Sequence, residues 1–238
     1  MIRRRSLLVA LALAALSVLA APAARADGAL TPLERRWIAA GLPVLEHARA
    51  SGLPLDIVVQ PDDEPDASPI AMAIQDERCK LVVSMRGNPR TDKLAASVPP
   101  ALFGAVAEAV FAHEIAHCWR WSRGVWNTVP AGFVDHLDEA PSGVDPELVR
   151  AMHETRREEG YADLVGLAWT GRAHPADYAG VLAWFERVRQ DEFEGEHHDT
   201  GIWLRLARDP AAFGAAATLF EQAQPLWERG LREMLRDR

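Results

Sequence analysis

The stretch Phe103-Gly-Ala-Val-Ala-Glu-Ala-Val-Phe-Ala-His113-Glu114-Ile-Ala-His117-Cys-Trp-Arg-Trp-Ser122 decides the reading of this chain. Pro99-Pro100 before it predicts a helix start, and Gly124 after Arg123 predicts its stop. On a helix, residues four apart lie on one face, so His113 and His117 can offer imidazole nitrogens to one ion. Glu114 lies beside them and can reach a water on that ion. With 8 histidines in 238 residues, independent placement gives roughly 0.02 chance matches to this pattern. The pattern alone is therefore suggestive, and its context adds weight. Residues 103–112 are apolar and alanine-rich, as expected of a buried helix. Burying two histidines and a glutamate there without an ion is costly. The alternative is a hydrogen-bonded histidine pair on a partly exposed helix.

A catalytic zinc needs a third protein ligand and one open position. A metzincin would place histidine six residues after His117 and glycine three after it. Arg123 and Arg120 stand there, which excludes that class. A second helix is predicted from Asp145-Pro146-Glu147 to about Thr170. On it, Glu159 continues a stripe of Leu148, Met152 and Thr155 that is expected to face the core. Glu159 and Asp163 are four apart and share a face. Glu159 is the expected metal ligand, and Asp163 the expected acceptor for the outer ring N–H of a ligand histidine. Glu158 is the nearest competitor to Glu159. The alternative for the whole run is a solvated acidic face paired with Arg156 and Arg157.

The remaining pattern predicts an α+β chain, predominantly helical, with a small three-stranded sheet. Thr31-Pro32-Leu33-Glu34 reads as a capping box opening a helix to about Ser51, with a kink expected at Pro43. Strands are predicted at Leu55–Val59, Ile70–Ile74 and Lys80–Met85. The acidic turn between the first two lacks the glycine and spacing of a calcium loop and reads as solvated. A loop is expected from Val125 to Val144, and further helices within Pro175–Gln190 and Asp209–Leu235. Cys79 and Cys118 have one possible pairing, and a disulfide and two buried thiols are both open at this stage. His47, His136, His153 and His174 show no partner spacing. Trp119, Trp121 and Trp126 read as core and cleft wall, and Tyr161 as a packing residue within reach of Glu159.

Arg3, Arg4 and Arg5, the apolar run Leu7–Ala21 and Ala24-Arg25-Ala26 have the layout of a secretory signal peptide. Cleavage is expected after Ala26, leaving 27–238 as one domain in the periplasm or outside the cell. An uncleaved anchor is the alternative. No later segment reads as a membrane span, and no stable membrane insertion is expected after cleavage. The net charge is already −8, and loss of the leader's arginines makes the body more acidic. Nucleic acid and anionic membrane are therefore poor partners.

His-Glu-x-x-His on one helix followed by Glu159-Gly-Tyr-Ala-Asp163 on a second resembles the gluzincin peptidases, closest to the group that has periplasmic and membrane members. The match spans about a quarter of the chain with its flanking helices. It implies a zincin-like fold with an active-site helix, a Zn2+ cofactor and a peptide or protein substrate. It also implies a sheet whose edge strand lines the cleft, for which Lys80–Met85 is the expected strand. Family members often carry a later histidine and arginine in a Thr-His-Pro context. Here the nearest stretch is His197-His198-Asp199-Thr200 with Arg205 beyond, and the His-Pro pair is missing. His198 is the candidate donor to the oxyanion, and Glu114 the general base. The rival reading is a catalytically silent binding protein on the same frame.

Overall fold

The computed structural model describes residues 29–62, 64, 67–133, 145–190 and 198–234. The expected leader, the second half of the predicted loop with His136, and His197 lie outside them. The described chain is mostly helical with one three-stranded sheet.

Helix α1 (Pro32–Ala50) begins as its capping box predicts. The Thr31 hydroxyl accepts from the Glu34 amide at 3.2 Å, and Glu34 accepts from the Thr31 amide at 2.7 Å. Pro43 is accommodated inside the helix, and Gly52 follows its end with φ 74°. Three strands come next, β1 (Leu55–Val59), β2 (Ile70–Gln75) and β3 (Arg78–Val83). The short helix α2 (Thr91–Ser97), which no periodicity announced, leads into α3 (Phe103–Ser122). Asp145 caps α4 (Pro146–Ala173) by accepting from the Glu147 amide at 2.9 Å. Helices α5 (Tyr178–Arg189), α6 (Gly201–Leu206) and α7 (Leu219–Met234) complete the described chain.

The sheet order is β1-β3-β2, with β1 parallel and β2 antiparallel to β3. This corrects the expectation that the third strand is the edge. Cys79, Leu81 and Val83 of β3 are all buried, and both its edges are occupied by neighbours. The edge strand that meets α3 is β2. Across the β2–β3 pair the Ser84 amide donates to the Pro69 carbonyl at 2.9 Å. Bonded and non-bonded pairs alternate in an antiparallel ladder, so the N–H and C=O of Ile70, Met72 and Ile74 point away from β3.

Helix α3 forms the centre, packed by α1, α4 and the sheet. Its segment Pro100–Ser122 is long and apolar enough to cross a bilayer, which corrects the reading that only the leader approaches this. Of its most apolar 18-residue window, 72% is buried inside the protein, as in a core helix. α3 and α4 approach closely because Gly166 faces the backbone of Ala109. A Cβ at Gly166 would lie 2.8 Å from the Ala109 carbonyl oxygen. Cys79 and Cys118 are joined as a disulfide, tying β3 to α3 one residue past His117.

Candidate metal centre

The close α3–α4 crossing carries the two predicted motifs to one point. Ala109 and His113 are four apart on α3, and Glu159, Asp163 and Gly166 share a face of α4. The spacing that lets the backbones touch therefore also aims these polar side chains at each other. His113 Nε2 and His117 Nε2 are 3.1 Å apart. Glu159 Oε2 is 3.5 Å from His113 Nε2, and Glu159 Oε1 is 3.4 Å from His117 Nε2. His113, His117 and Glu159 form a group whose donor atoms all converge on one locus.

Asp163 is fully buried and accepts from four donors. His113 Nδ1 lies 2.9 Å from Oδ1, and Thr200 Oγ1 donates to Oδ2 at 2.6 Å. Arg189 donates Nε to Oδ2 at 3.0 Å and Nη2 to Oδ1 at 2.8 Å. The same Nη2 reaches Glu159 Oε2 at 3.0 Å. A His113 ring that donates its Nδ1–H to the Asp163 carboxylate presents a lone pair at Nε2, toward His117 and Glu159. The second histidine is less supported: His117 Nδ1 is buried with no hydrogen-bond partner among the described residues.

The electrostatics follow from this packing. Burial acts to raise Glu159, but His113, His117 and Arg189 outweigh it and hold the carboxyl well below its ordinary range. Burial likewise opposes ionisation of Asp163, and Arg189 and His113 overcome it, leaving a pKa of about 2. For His113, burial favours the neutral ring, while the charges of Glu159 and Asp163 raise its pKa overall. Glu114 is buried too, and its desolvation raises its carboxyl despite His113, His117 and a hydrogen bond from the Met72 backbone. That last contact places the general-base candidate against the edge of β2 that faces away from β3.

Glu158, the competing ligand, turns the other way. It pairs with Arg120 at 2.6 Å and accepts from the Asn127 amide at 2.9 Å. His198 Nε2 lies 3.8 Å from Glu159 Oε2, on the rim of the site. It is followed by two anchored residues: Asp199 bonds Arg156 at 2.7 Å, and Thr200 bonds Asp163. Arg205 is exposed on α6 and stays outside the cluster. Tyr161 is a core residue that donates to the Phe220 carbonyl at 3.0 Å, and Trp119 stacks on both rings. His174 pairs with Glu108 at 2.9 Å, and His47 packs against the Trp169 and Phe220 rings. The expected core stripe on α4 is corrected at its start, because Leu148 is 55% exposed and Met152 and Thr155 are only half-buried.

Sequence reasoning missed Arg189, Thr200 and Arg156. Arg189 had a readable signal, since it falls in register with Val181 and Phe185 on the buried stripe of α5. A cation on an apolar stripe needs a buried carboxylate. Thr200 and Arg156 had none, because their partners come from elements distant in sequence.

Comparison of the chain with protein-family models, with curated proteins and with solved structures returned no match.

Proposed function

We propose that this chain is a zinc-dependent peptidase on a zincin-like frame, acting in the periplasm or outside the cell. The observation that carries the reading is the triangle of donor atoms with Glu114 beside it. Four ligands at ~2.05 Å in a tetrahedron lie ~3.3 Å from one another. The two imidazole nitrogens are 3.1 Å apart, and Glu159 sets Oε2 3.5 Å from one and Oε1 3.4 Å from the other, spacings close to that figure. Two imidazoles and one carboxylate are also a donor set suited to catalytic zinc, with a fourth position left for water or substrate. His113, His117 and Glu159 would hold the ion. Bound there, zinc supplies a Lewis acid that polarises the peptide carbonyl and makes water a nucleophile near neutral pH.

The chain's own residues do the rest. Glu114 takes a proton from the attacking water and delivers it to the leaving amine. Arg189 and Thr200 fix Asp163, and Asp163 fixes the tautomer and angle of His113. His198 donates to the oxyanion as the carbonyl carbon becomes tetrahedral. The Met72 C=O and the N–H and C=O of Ile74, which point away from β3, offer an extended peptide backbone partners. Thus β2, not β3, is the strand expected to line the cleft. The Cys79–Cys118 disulfide supports export, since such bonds persist in oxidising compartments.

The test is zinc analysis of the purified protein with peptide turnover in the presence and absence of a chelator. One zinc per chain and chelator-sensitive cleavage are expected. Glu114→Gln should keep its zinc and lose at least ~100-fold in kcat. An active Glu114→Gln variant, or a protein without zinc affinity, refutes the reading.

A further inference from the structure

Among the described residues, the exposed large apolar side chains are Leu42, Ile74, Trp126 and Leu148. Three of these four lie on the elements that frame the metal centre. Ile74 is on β2, two residues from the Met72 amide that meets Glu114. Leu148 precedes Glu159 by eleven residues, about three helical turns, so it lies on the same face of α4 roughly 16 Å from it. Met152, half-buried, falls on that face between them. Trp126 follows α3, and its ring forms a T-shaped pair with that of His117, centroids 5.4 Å apart. Of the four, Trp126 is the one whose ring packs on a residue of the centre.

The loop holds Trp126 in place from both sides. Gly124 and Asn127 adopt positive φ, 67° and 58°, and turn the chain before and after it. The Arg120 guanidinium donates to the Val125 and Thr128 carbonyls, each at 2.8 Å. The Asn127 amide donates to Glu158 and its side chain to Glu154 at 3.2 Å. Arg120 is itself buried and paired with Glu158, so the loop is fastened to α3 and α4 together. A tethered backbone leaves only the side-chain rotations of Trp126 to be ordered when a ligand covers its ring, which lowers the cost of binding there.

We infer that Trp126 is the specificity-determining residue of this site. It selects peptides with a bulky apolar side chain, aromatic or branched aliphatic, at a residue flanking the scissile bond. Met152 and Leu148 extend the apolar lining to residues further along the substrate. The inference rests on the peptidase reading for its substrate, and the experiment separates the two.

Zinc-loaded wild type, Trp126→Ala and Trp126→Phe are compared on peptides carrying Phe, Leu, Ala or Asp next to the cleaved bond. Wild type is expected to prefer Phe or Leu over Ala by ~10-fold or more in kcat/KM. In Trp126→Ala the ratio of kcat/KM for the Phe or Leu peptide to that for the Ala peptide should fall to about 1, and Trp126→Phe should keep most of the preference. Zinc content should be equal in all three. In parallel, affinities for dipeptide hydroxamates bearing Phe or Gly are measured, since these bind zinc without turnover. No peptide cleavage by wild type, with a Phe preference among hydroxamates that Trp126→Ala abolishes, refutes the peptidase and upholds the subsite. A preference unchanged in Trp126→Ala, or no preference in wild type in either assay, overturns the inference.

Discussion

Replacing Asp163 by Asn keeps its shape and removes its charge. The carboxylate is fully buried and faces three side chains, so its loss should be felt in both stability and metal affinity. Breaking a buried ion pair by neutralising one partner costs about 3–5 kcal/mol. Arg189 keeps its contact with Glu159 at 3.0 Å, so the lower end, about 3 kcal/mol, is expected. The depressed pKa of Asp163, about 2 against an ordinary 3.8, gives a figure of the same order, about 2 kcal/mol. For a domain of this size that lowers Tm by roughly 6–12 °C. Because the folded pKa is lowered, this contribution is present above about pH 4 and vanishes as pH falls through about 2. With His113 untethered, zinc affinity should also drop about 10- to 100-fold. Thermal denaturation with chelator present measures the first effect, and competition with a zinc indicator the second. The double variant Asp163→Asn with Arg189→Met should lose less than the sum of the singles, because the Asp163–Arg189 pair is then removed once rather than counted twice. A single variant within 2 °C of wild type that binds zinc equally well would show that Asp163 does not hold the centre together.

Three further outcomes follow from the same geometry. Burial raises the Glu114 carboxyl in the metal-free protein, so its titration without zinc, followed by isotope-edited NMR, should fall above pH 4.5; a midpoint at or below it contradicts the burial of this group. Changing both Cys79 and Cys118 to Ser removes a cross-link across 39 residues and should cost about 4 kcal/mol, seen as a Tm roughly 8–16 °C lower and insensitive to reductant; a Tm equal to wild type removes the disulfide from the account. Gly166→Ala forces a Cβ against the Ala109 carbonyl, so the helices must separate; about 1–3 kcal/mol of stability should be lost, with a weaker zinc titration, and a neutral result means the close crossing does not set the site.

Much of the frame was legible because it is written locally. Capping residues and turn glycines bounded the long helices, and Val, Ile and Leu content on either side of an acidic turn marked three strands near their observed positions. Strand order was not legible. β3 was expected at the edge because it directly precedes the metal-helix region, but pairing depends on which buried faces fit, and that is decided between segments. The choice between Glu158 and Glu159 turned on 100° of helix rotation, which burial against Arg120 and Asn127 settles on one side. Gly160 illustrates the same limit. It sits against the Trp203 ring from α6, and nothing near it in sequence announced that a side chain there would clash.

The sequence by itself determined that two imidazoles and a glutamate share one buried helix, and that two carboxylates share a face of another. Those facts need only the 3.6-residue repeat. Tertiary structure decided that the two faces meet, that Arg189 and Thr200 saturate Asp163, and that β2 rather than β3 runs beside Glu114. The physical reason is range. Helical periodicity is fixed by neighbouring dihedrals, whereas the meeting of side chains many residues apart depends on how closely two backbones can pack, and here a glycine against a carbonyl oxygen sets that distance.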